Sequence, residues 1–223
     1  MIPRIIHQIW LDNPLPDYLV PYMLSWRKLH PDWTHLLWTN VPQFLPEEVR
    51  PFCEPPNLRN ESLFSDATRW APGSEGQFRS DILRYELLYV MGGVYVDCDF
   101  ECLKPIDSLI SPNLELFAAW ETDYRWIGNA ILGAVPNNPT INRTIKNLPK
   151  NVQRFAGPGV RPNVLTGPQF ITKLWANSYD KIHATIFPSK MFYPYLYNEL
   201  HKGTQVWSQA YAVHHWNNKR QKT

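Results

Sequence analysis

Cysteine is scarce in this 223-residue chain: Cys53, Cys98 and Cys102 make an odd count without metal-ligand spacing, which excludes a disulfide framework and a cysteine zinc site. Charge imbalance is small too. The formal net charge is +2, too weak to mark a nucleic-acid binder, and the basic tail Lys219 to Lys222 reads as a solvated terminus. No stretch approaches the roughly 18 apolar residues of a membrane span, and no charged leader precedes the first apolar segment. The expected location is therefore cytoplasmic, with peripheral membrane association compatible with the same sequence. Internal repeats and low-complexity segments are absent as well.

What the chain does have is apolar and aromatic residues. Hydrophobic residues make up 44% and charged residues 19%, with ten Trp among the 14% that are aromatic, so one sizeable core is affordable and most rings belong to it. We expect one domain over 1–223. Strands are expected at Arg4 to Trp10, His35 to Thr39, Val94 to Val96, Leu116 to Trp120 and Ala130 to Ala134. Helices are expected at Tyr18 to Leu29, over 76–91, and at Pro139 to Asn147 and Gly167 to Asn177. The five prolines between Val41 and Pro56 point to a loop or a short helical excursion. Alternating strands and helices give an α/β fold with a largely parallel sheet, whose ligands sit at the carboxyl ends of strands. Trp10, Asn40 and Asp97 fall at such ends.

The segment Arg79 to Asp99 holds the chemistry. Its helix should stop in a left-handed cap at Gly92-Gly93, and the next strand delivers Asp97 and Asp99 to one side with Cys98 turned away. Two hard oxygen ligands there suit Mn²⁺ or Mg²⁺, with Asp99 as direct ligand and Asp97 as a ribose or water-mediated metal partner. Asp81 and Arg84, three apart, share a helix face, and the fork of an arginine suits phosphate and hydroxyl groups. Tyr95 would face away from Asp97 under strict alternation, which makes it a weaker candidate for a wall of the pocket. Glu121 and Asp123 follow a predicted strand and are further carboxylates to test.

Eight ordered segments resemble those of glycosyltransferase family 32: Ile2 to Trp10, Ser25 to Lys28, Pro31 to Trp33, Arg79 to Tyr85, Gly92 to Asp99, Thr166 to Pro168, Phe192 to Pro194 and Ala212 to Trp216. The catalytic domains of large clostridial glucosylating toxins are similar in the Ser-Asp to Asp-x-Asp block. The resemblance implies the A-type glycosyltransferase (GT-A) fold, with a nucleotide-binding part over about 1–110 and an acceptor-side part over about 111–223, a UDP- or GDP-hexose donor, a divalent metal and transfer with retention of configuration. Under it Tyr95 would be a wall of the sugar-nucleotide pocket, and Glu121 and Asp123 are the carboxylates to test as a glycosyl nucleophile, although a front-face mechanism needs neither. A glycan or lipid-linked oligosaccharide in polysaccharide biosynthesis is the acceptor it favours over a nucleic acid. It places Asp81 and Arg84 on the donor sugar, Arg84 near the β-phosphate, Asn129 beside the anomeric carbon and Trp10 on the base, with Asn40, Ser80, Tyr95, Asp97 and Trp216 completing the donor site. A late histidine commonly closes the metal shell in this fold; His215 is chosen here, with His214 as alternate. Two departures stand out: Asn217-Asn-Lys-Arg follows the His-His-Trp, and Leu11-Asp-Asn stands where glycine is usual. The rival readings are a haloacid-dehalogenase-type phosphatase, whose Asp-x-Asp normally ends the first strand, and a non-catalytic sugar-nucleotide or glycan-binding module.

Overall fold

The structure is a computed structural model and describes residues 1–49, 52–176 and 184–216. The first half runs β1 (Ile5–Ile9), α1 (Val20–Leu29), β2 (Thr34–Trp38), β3 (Phe52–Cys53), α2 (Glu61–Ser65), α3 (Ala67–Trp70), α4 (Glu75–Met91), β4 (Gly93–Val96) and β5 (Phe100–Cys102). The second half continues with β6 (Leu116–Thr122), β7 (Trp126–Ala134), α5 (Pro139–Phe155), α6 (Pro162–Leu165), α7 (Pro168–Ala176), β8 (Thr185–Phe187) and β9 (Ala212–His214).

Seven strands form one sheet in the order β3-β2-β1-β4-β7-β6-β8. The sheet is parallel as expected except at β7, which runs against both β4 and β6 because a short turn joins β6 directly to β7. Strand β1 lies between β2 and β4 and is parallel to both. After β1 the chain steps outward through β2 and β3, then returns to the other side of β1 as β4. A crevice opens at that reversal, beyond the carboxyl ends of β1 and β4, which is where Trp10 and Asp97 emerge.

Alternation along β4 sends Val94 and Val96 to one face and Tyr95 to the other, so the sheet divides two apolar layers. One layer packs α4, α5 and α7 through Ile82, Leu83, Leu88, Ile145, Leu148 and Trp175. The other holds Trp26, Trp33, Phe100, Phe192 and Tyr195. Trp26 is fully buried with its indole N–H donated to the Phe100 carbonyl at 2.8 Å, so ring burial leaves no orphan donor.

Several expected elements differ. Helix α5 does not stop at Asn147 but runs through Pro149 to Phe155, because Ile141, Ile145, Leu148 and Val152 bury one unbroken stripe that outweighs the lost hydrogen bond. Its start is fixed by Asn138, whose side-chain oxygen accepts from the N–H groups of Thr140 and Ile141 at 3.0 and 3.2 Å. Gly92 has φ 66° but ψ −159°, an extended glycine conformation rather than the expected left-handed cap. The chain must enter β4 at once, and a β-carbon on Gly92 would sit 2.6 Å from Pro136 Cδ. Between Val41 and Pro56 there are two single 3₁₀ turns and the short β3. Four short strands escaped the sequence reading: β3 and β8 at the two edges of the sheet, and β5 and β9, which pair antiparallel as a separate ribbon. Asn177, the segment Asn217 to Arg220 and the basic tail lie outside the described residues.

One buried histidine makes the sheet sensitive to acid. His7 is fully buried; its Nδ1 accepts from the Trp38 indole at 3.1 Å, and its Nε2 faces the Gly92 carbonyl at 2.8 Å. An indole N–H only donates, so the single ring proton lies on Nε2 and the ring is neutral. Burial lowers its pKa from 6.5 to about 4, against the raising effect of the Gly92 bond. Because the folded value is depressed, the unfolded chain binds the extra proton, and the stability held above pH 6.5 drains away as pH falls toward 4. The loss is on the order of 3 kcal/mol. Urea midpoints should therefore drop steeply from pH 7 to pH 4.5, and more shallowly in His7→Gln, which starts from a lower stability.

Candidate active site

Strand β4 ends at Val96, and the Asp97 N–H is still held by the Ala130 carbonyl of β7 at 2.9 Å. A turn then closes as the Phe100 N–H reaches the Asp97 carbonyl at 3.0 Å, and the chain enters β5. Strand β9 lies alongside with His214 opposite Phe100. This pairing brings residues more than a hundred positions apart together: His214 Nε2 lies 3.0 Å from Asp99 Oδ1 and 3.8 Å from Asp97 Oδ2. The three side chains can present ligand atoms within 4.8 Å of one another.

His215, the residue favoured from the sequence, points the other way, as a neighbour in an extended segment must. Its Nε2 meets Glu101 Oε2 at 2.8 Å, its Nδ1 meets the Tyr195 hydroxyl at 3.3 Å, and its ring stacks on Tyr22 at 4.3 Å. Glu101 and His215 thus brace the ribbon from behind while His214 joins the two aspartates.

A second group stands next to the first. Arg84 is 3% exposed and Asp81 2%, so their pair is interior and not the solvated helix pair that spacing alone would allow. Arg84 Nη2 lies 3.1 Å from Asp81 Oδ1, and its Nη1 reaches both Asp97 Oδ1 at 3.3 Å and the Asn129 carbonyl at 2.7 Å. Asp81 also accepts from Asn129 Nδ2 at 2.8 Å and from the Thr166 hydroxyl at 2.7 Å. Asn129 is a strand residue, not part of a turn. It lies where the register between β6 and β7 jumps from Ala118 opposite Leu132 to Ala119 opposite Gly128, an irregularity of the kind that re-aims side chains beside functional sites.

Tyr95 corrects the alternation argument. Residues two apart on a strand share a face, and the Tyr95 hydroxyl donates to Asp97 Oδ1 at 2.5 Å. The Arg84 guanidinium lies 4.3 Å over the Tyr95 ring, and Ser80 Oγ accepts from Arg84 Nη2 at 3.0 Å while lying 3.3 Å from the Tyr95 hydroxyl. Ser80, Asp81, Arg84, Tyr95, Asp97 and Asn129 therefore form one connected network.

Trp10 and Asn40 stand apart from it, at the ends of β1 and β2. Trp10 is half-buried and donates its indole N–H to the Asn13 carbonyl at 2.8 Å. Asn40 exchanges two 2.8 Å bonds with Asp12, and Arg79 Nη1 holds the other Asp12 oxygen at 2.6 Å. Trp216 is buried, with φ 56°; its ring lies 4.2 Å from His214 and its N–H is donated to the Tyr195 carbonyl at 3.0 Å. It backs the histidine as a packed wall. The sequence reading gave no role to Tyr85, Thr166, Asp12 or Arg79. Tyr85 sits one turn after Asp81, with its hydroxyl donated to the Thr166 carbonyl at 2.7 Å and lying 3.1 Å from Asn129 Nδ2, so helical spacing was a usable signal. The Thr166-Gly-Pro segment was noticed, but nothing local linked it to Asp81.

The electrostatics show what the cluster lacks. Burial pushes Asp97 above the usual carboxylate range, as does Asp99, while Arg84 and His214 pull it down. Burial works against a charged His214, yet Asp99 and then Asp97 draw its pKa above the ordinary value. Asp81 is likewise raised by burial, against Arg84, Thr166 and Asn129. Three carboxylates, Asp81, Asp97 and Asp99, are thus served by one guanidinium and one imidazole. A divalent cation fits this set: two oxygen donors and one nitrogen donor converge, and Asp97 keeps 28% of its side-chain surface open to the crevice.

Residues 16–115 match the family described as glycosyltransferase sugar-binding region containing DXD motif. Relatives repeat that assignment. Inositol phosphoceramide mannosyltransferase 3 of Schizosaccharomyces pombe is 27% identical over 96% of this chain, and inositol phosphoceramide mannosyltransferase 1 of the same organism is 32% identical over 77%. The chain is similar to the DXD glycosyltransferases over that region. It covers 60% and 50%, respectively, of the length of those two relatives. Among solved structures, the PaToxG glycosyltransferase superposes with a TM-score of 0.64 at 22% identity, covering 77% of this chain and 68% of its own. The galactosyltransferase LgtC, with donor and acceptor sugar analogues, gives 0.52 at 13% identity, covering 94% and 86%. The fold of the chain is accordingly that of the GT-A glycosyltransferases.

Arg84 generates the prediction for this site. Arg84→Met should leave the buried Asp81 and the half-buried Asp97 without their cation and cost roughly 3–5 kcal/mol, read as a fall in urea midpoint at pH 7. Arg84→Lys keeps a charge but cannot reach both carboxylates and Asn129 together, so it should recover only part of that loss.

Proposed function

We propose that this chain is a catalytic region that transfers a hexose, with retention of configuration, from a UDP- or GDP-sugar to a hydroxyl of a glycan or lipid-borne acceptor. The observation that carries the reading is the position of Arg84, which touches Asp81 on one side and Asp97 on the other. It ties a group suited to hydroxyls to a group suited to a metal and phosphates. The names of the relatives favour mannose as the sugar and an inositol phosphoceramide as the kind of acceptor. In this reading the part over about 1–110 binds nucleotide and the part over about 111–223 faces the acceptor.

The division of labour follows from chemistry. Asp97, Asp99 and His214 would hold Mn²⁺ or Mg²⁺, which when bound neutralises the diphosphate and makes it a competent leaving group. Arg84 adds a permanent positive charge where the β-phosphate leaves, and burial makes that charge more effective. Asp81 and Asn129, fixed by Thr166 and Tyr85, present an oxygen and an amide to sugar hydroxyls without reorganising. Trp10 offers a ring face to the base at the end of β1. Tyr95, Ser80 and Trp216 hold these groups in place from the sides.

The phosphatase reading fits less well. Its nucleophile would be Asp97, but that carboxylate follows the fourth strand and is occupied by the Tyr95 hydroxyl and Arg84. A non-catalytic binding module would not require a cation site joined to the sugar-facing pair.

The deciding experiment incubates GDP-mannose, UDP-glucose, UDP-galactose and a UDP-N-acetylhexosamine with Mn²⁺, with Mg²⁺ and with EDTA. It measures nucleoside diphosphate release. The expected outcome is metal-dependent turnover of one donor, abolished by EDTA and by Asp99→Asn. His214→Ala should weaken Mn²⁺ binding in a titration by at least about tenfold, as loss of one direct ligand does, while His215→Ala shifts it far less. Turnover that ignores EDTA would refute the metal assignment.

A further inference from the structure

Charge is sorted along this chain although its sum is small. Between Asp123 and Asp180 the sequence carries seven Lys and Arg and no Asp or Glu, which leaves fifteen cations against twenty acids in the rest. Four of the seven, Arg143, Lys146, Lys150 and Arg154, lie on α5 at spacings of three and four, so they share one helix face. Ile141, Ile145, Leu148 and Val152 bury the opposite face, which turns the cations outward. Among the described residues none of the four has an ion-pair partner, and Nε and Nη2 of the half-buried Arg143 meet no acceptor. The stripe is a row of uncompensated charge, unlike a solvated face laced with salt bridges.

Hydrogen bonds lead from that helix to the crevice. Helix α5 starts beside the far end of α4, where the Asn137 N–H reaches the Tyr89 carbonyl at 2.7 Å. Later in α5, Asn151 Nδ2 donates to the Leu165 carbonyl at 2.7 Å, next to the Thr166 that holds Asp81. At the last turn the charge meets exposed rings. Phe155 is 37% exposed, with the Arg154 guanidinium 5.1 Å and the Lys173 ammonium 5.6 Å from its centre. The Thr172 hydroxyl, beside Lys173 on α7, accepts the Ile127 N–H at 2.8 Å. The β6–β7 hairpin ends there in Tyr124, 90% exposed, and in Arg125, whose guanidinium lies 5.8 Å from the Trp126 ring. Rings flanked by cations suit the headgroup layer of a bilayer, where the ring enters the acyl boundary and the cation meets phosphate.

We propose that the basic stripe of α5, with the aromatic rim at its crevice end, docks this protein on an anionic bilayer surface. The choice of a bilayer over a nucleic acid rests on the lipid-borne acceptor of the reading above, together with the exposed rings. Like charge makes the same face a poor partner for a second copy of the chain. Docking through α5 brings the Thr166 and Asp81 side of the crevice close to the headgroups, where a lipid-borne hydroxyl is presented.

The test sediments the protein with phosphatidylcholine vesicles, with and without phosphatidylserine. Wild type should bind only the anionic vesicles, and the binding should be lost between about 0.1 and about 1 M salt, as the Debye length shrinks from about 10 to about 3 Å. Lys146→Gln, Lys150→Gln and Arg154→Gln together should weaken it ~100-fold, about fivefold for each charge removed. Phe155→Ser alone should weaken it about tenfold. Arg4→Gln, Lys28→Gln and Arg69→Gln, which remove the same charge from other elements, should leave it nearly unchanged. Urea midpoints matching wild type would show that each variant is folded. Equal binding to both kinds of vesicle, equal loss in the two triple variants, or single-stranded RNA bound through the stripe as tightly as the anionic vesicles overturns the proposal. Donor turnover onto a soluble glycan by a protein that ignores vesicles overturns the docking and leaves glycosyltransfer standing. Vesicle binding through the stripe without turnover of any donor sinks the glycosyltransfer reading and leaves the docking.

Discussion

The buried Arg84 guanidinium is the interaction on which the rest of the site depends. Burial alone would work against its charge, but Tyr95, Asp97 and Asp81 hold its pKa above the ordinary arginine value. In return it makes the burial of Asp81 tolerable, since an unpaired interior carboxylate is far more costly than a paired one. The planar fork lets one residue face two acids and a backbone carbonyl at once. Helix α4, strand β4 and strand β7 are thereby fixed to one another through a single side chain.

The sheet topology decides why that knot faces a crevice. The chain fills β1, β2 and β3 on one side and then returns beside β1 as β4, so the carboxyl ends of β1 and β4 diverge. Trp10 and Asp97 emerge on either side of that gap. The β5–β9 ribbon closes its far edge and contributes His214, with Glu101 and His215 bracing it from behind. Irregular β6–β7 pairing turns Asn129 toward Asp81.

Local pattern was enough for the long elements: helix α4, the buried β4 and the carboxylates at its end are written in the run Arg79 to Asp99. It failed where a short-range rule met a long-range demand. Pro149 reads as a stop, but the apolar stripe of α5 carries the helix past it. Gly92 reads as a left-handed cap, but the immediate start of β4 and the contact with Pro136 select another glycine conformation. Strands β5 and β9 are three residues each, too short for any periodicity to show.

The same division separates what the sequence alone determined from what the tertiary structure decided. Residue types, their order and strand alternation determined the α/β class and the pairing of Asp81 with Arg84 and of Asp97 with Asp99, because those partners lie within one helix or one turn. Tertiary structure decided which histidine meets the aspartates. His214 and His215 are adjacent and chemically alike, and only the pairing of β9 with β5 fixes which of two opposite faces looks at the metal-side cluster. It also gave Thr166 its role, since a hydrogen bond to Asp81 from 85 positions away leaves no trace in local spacing.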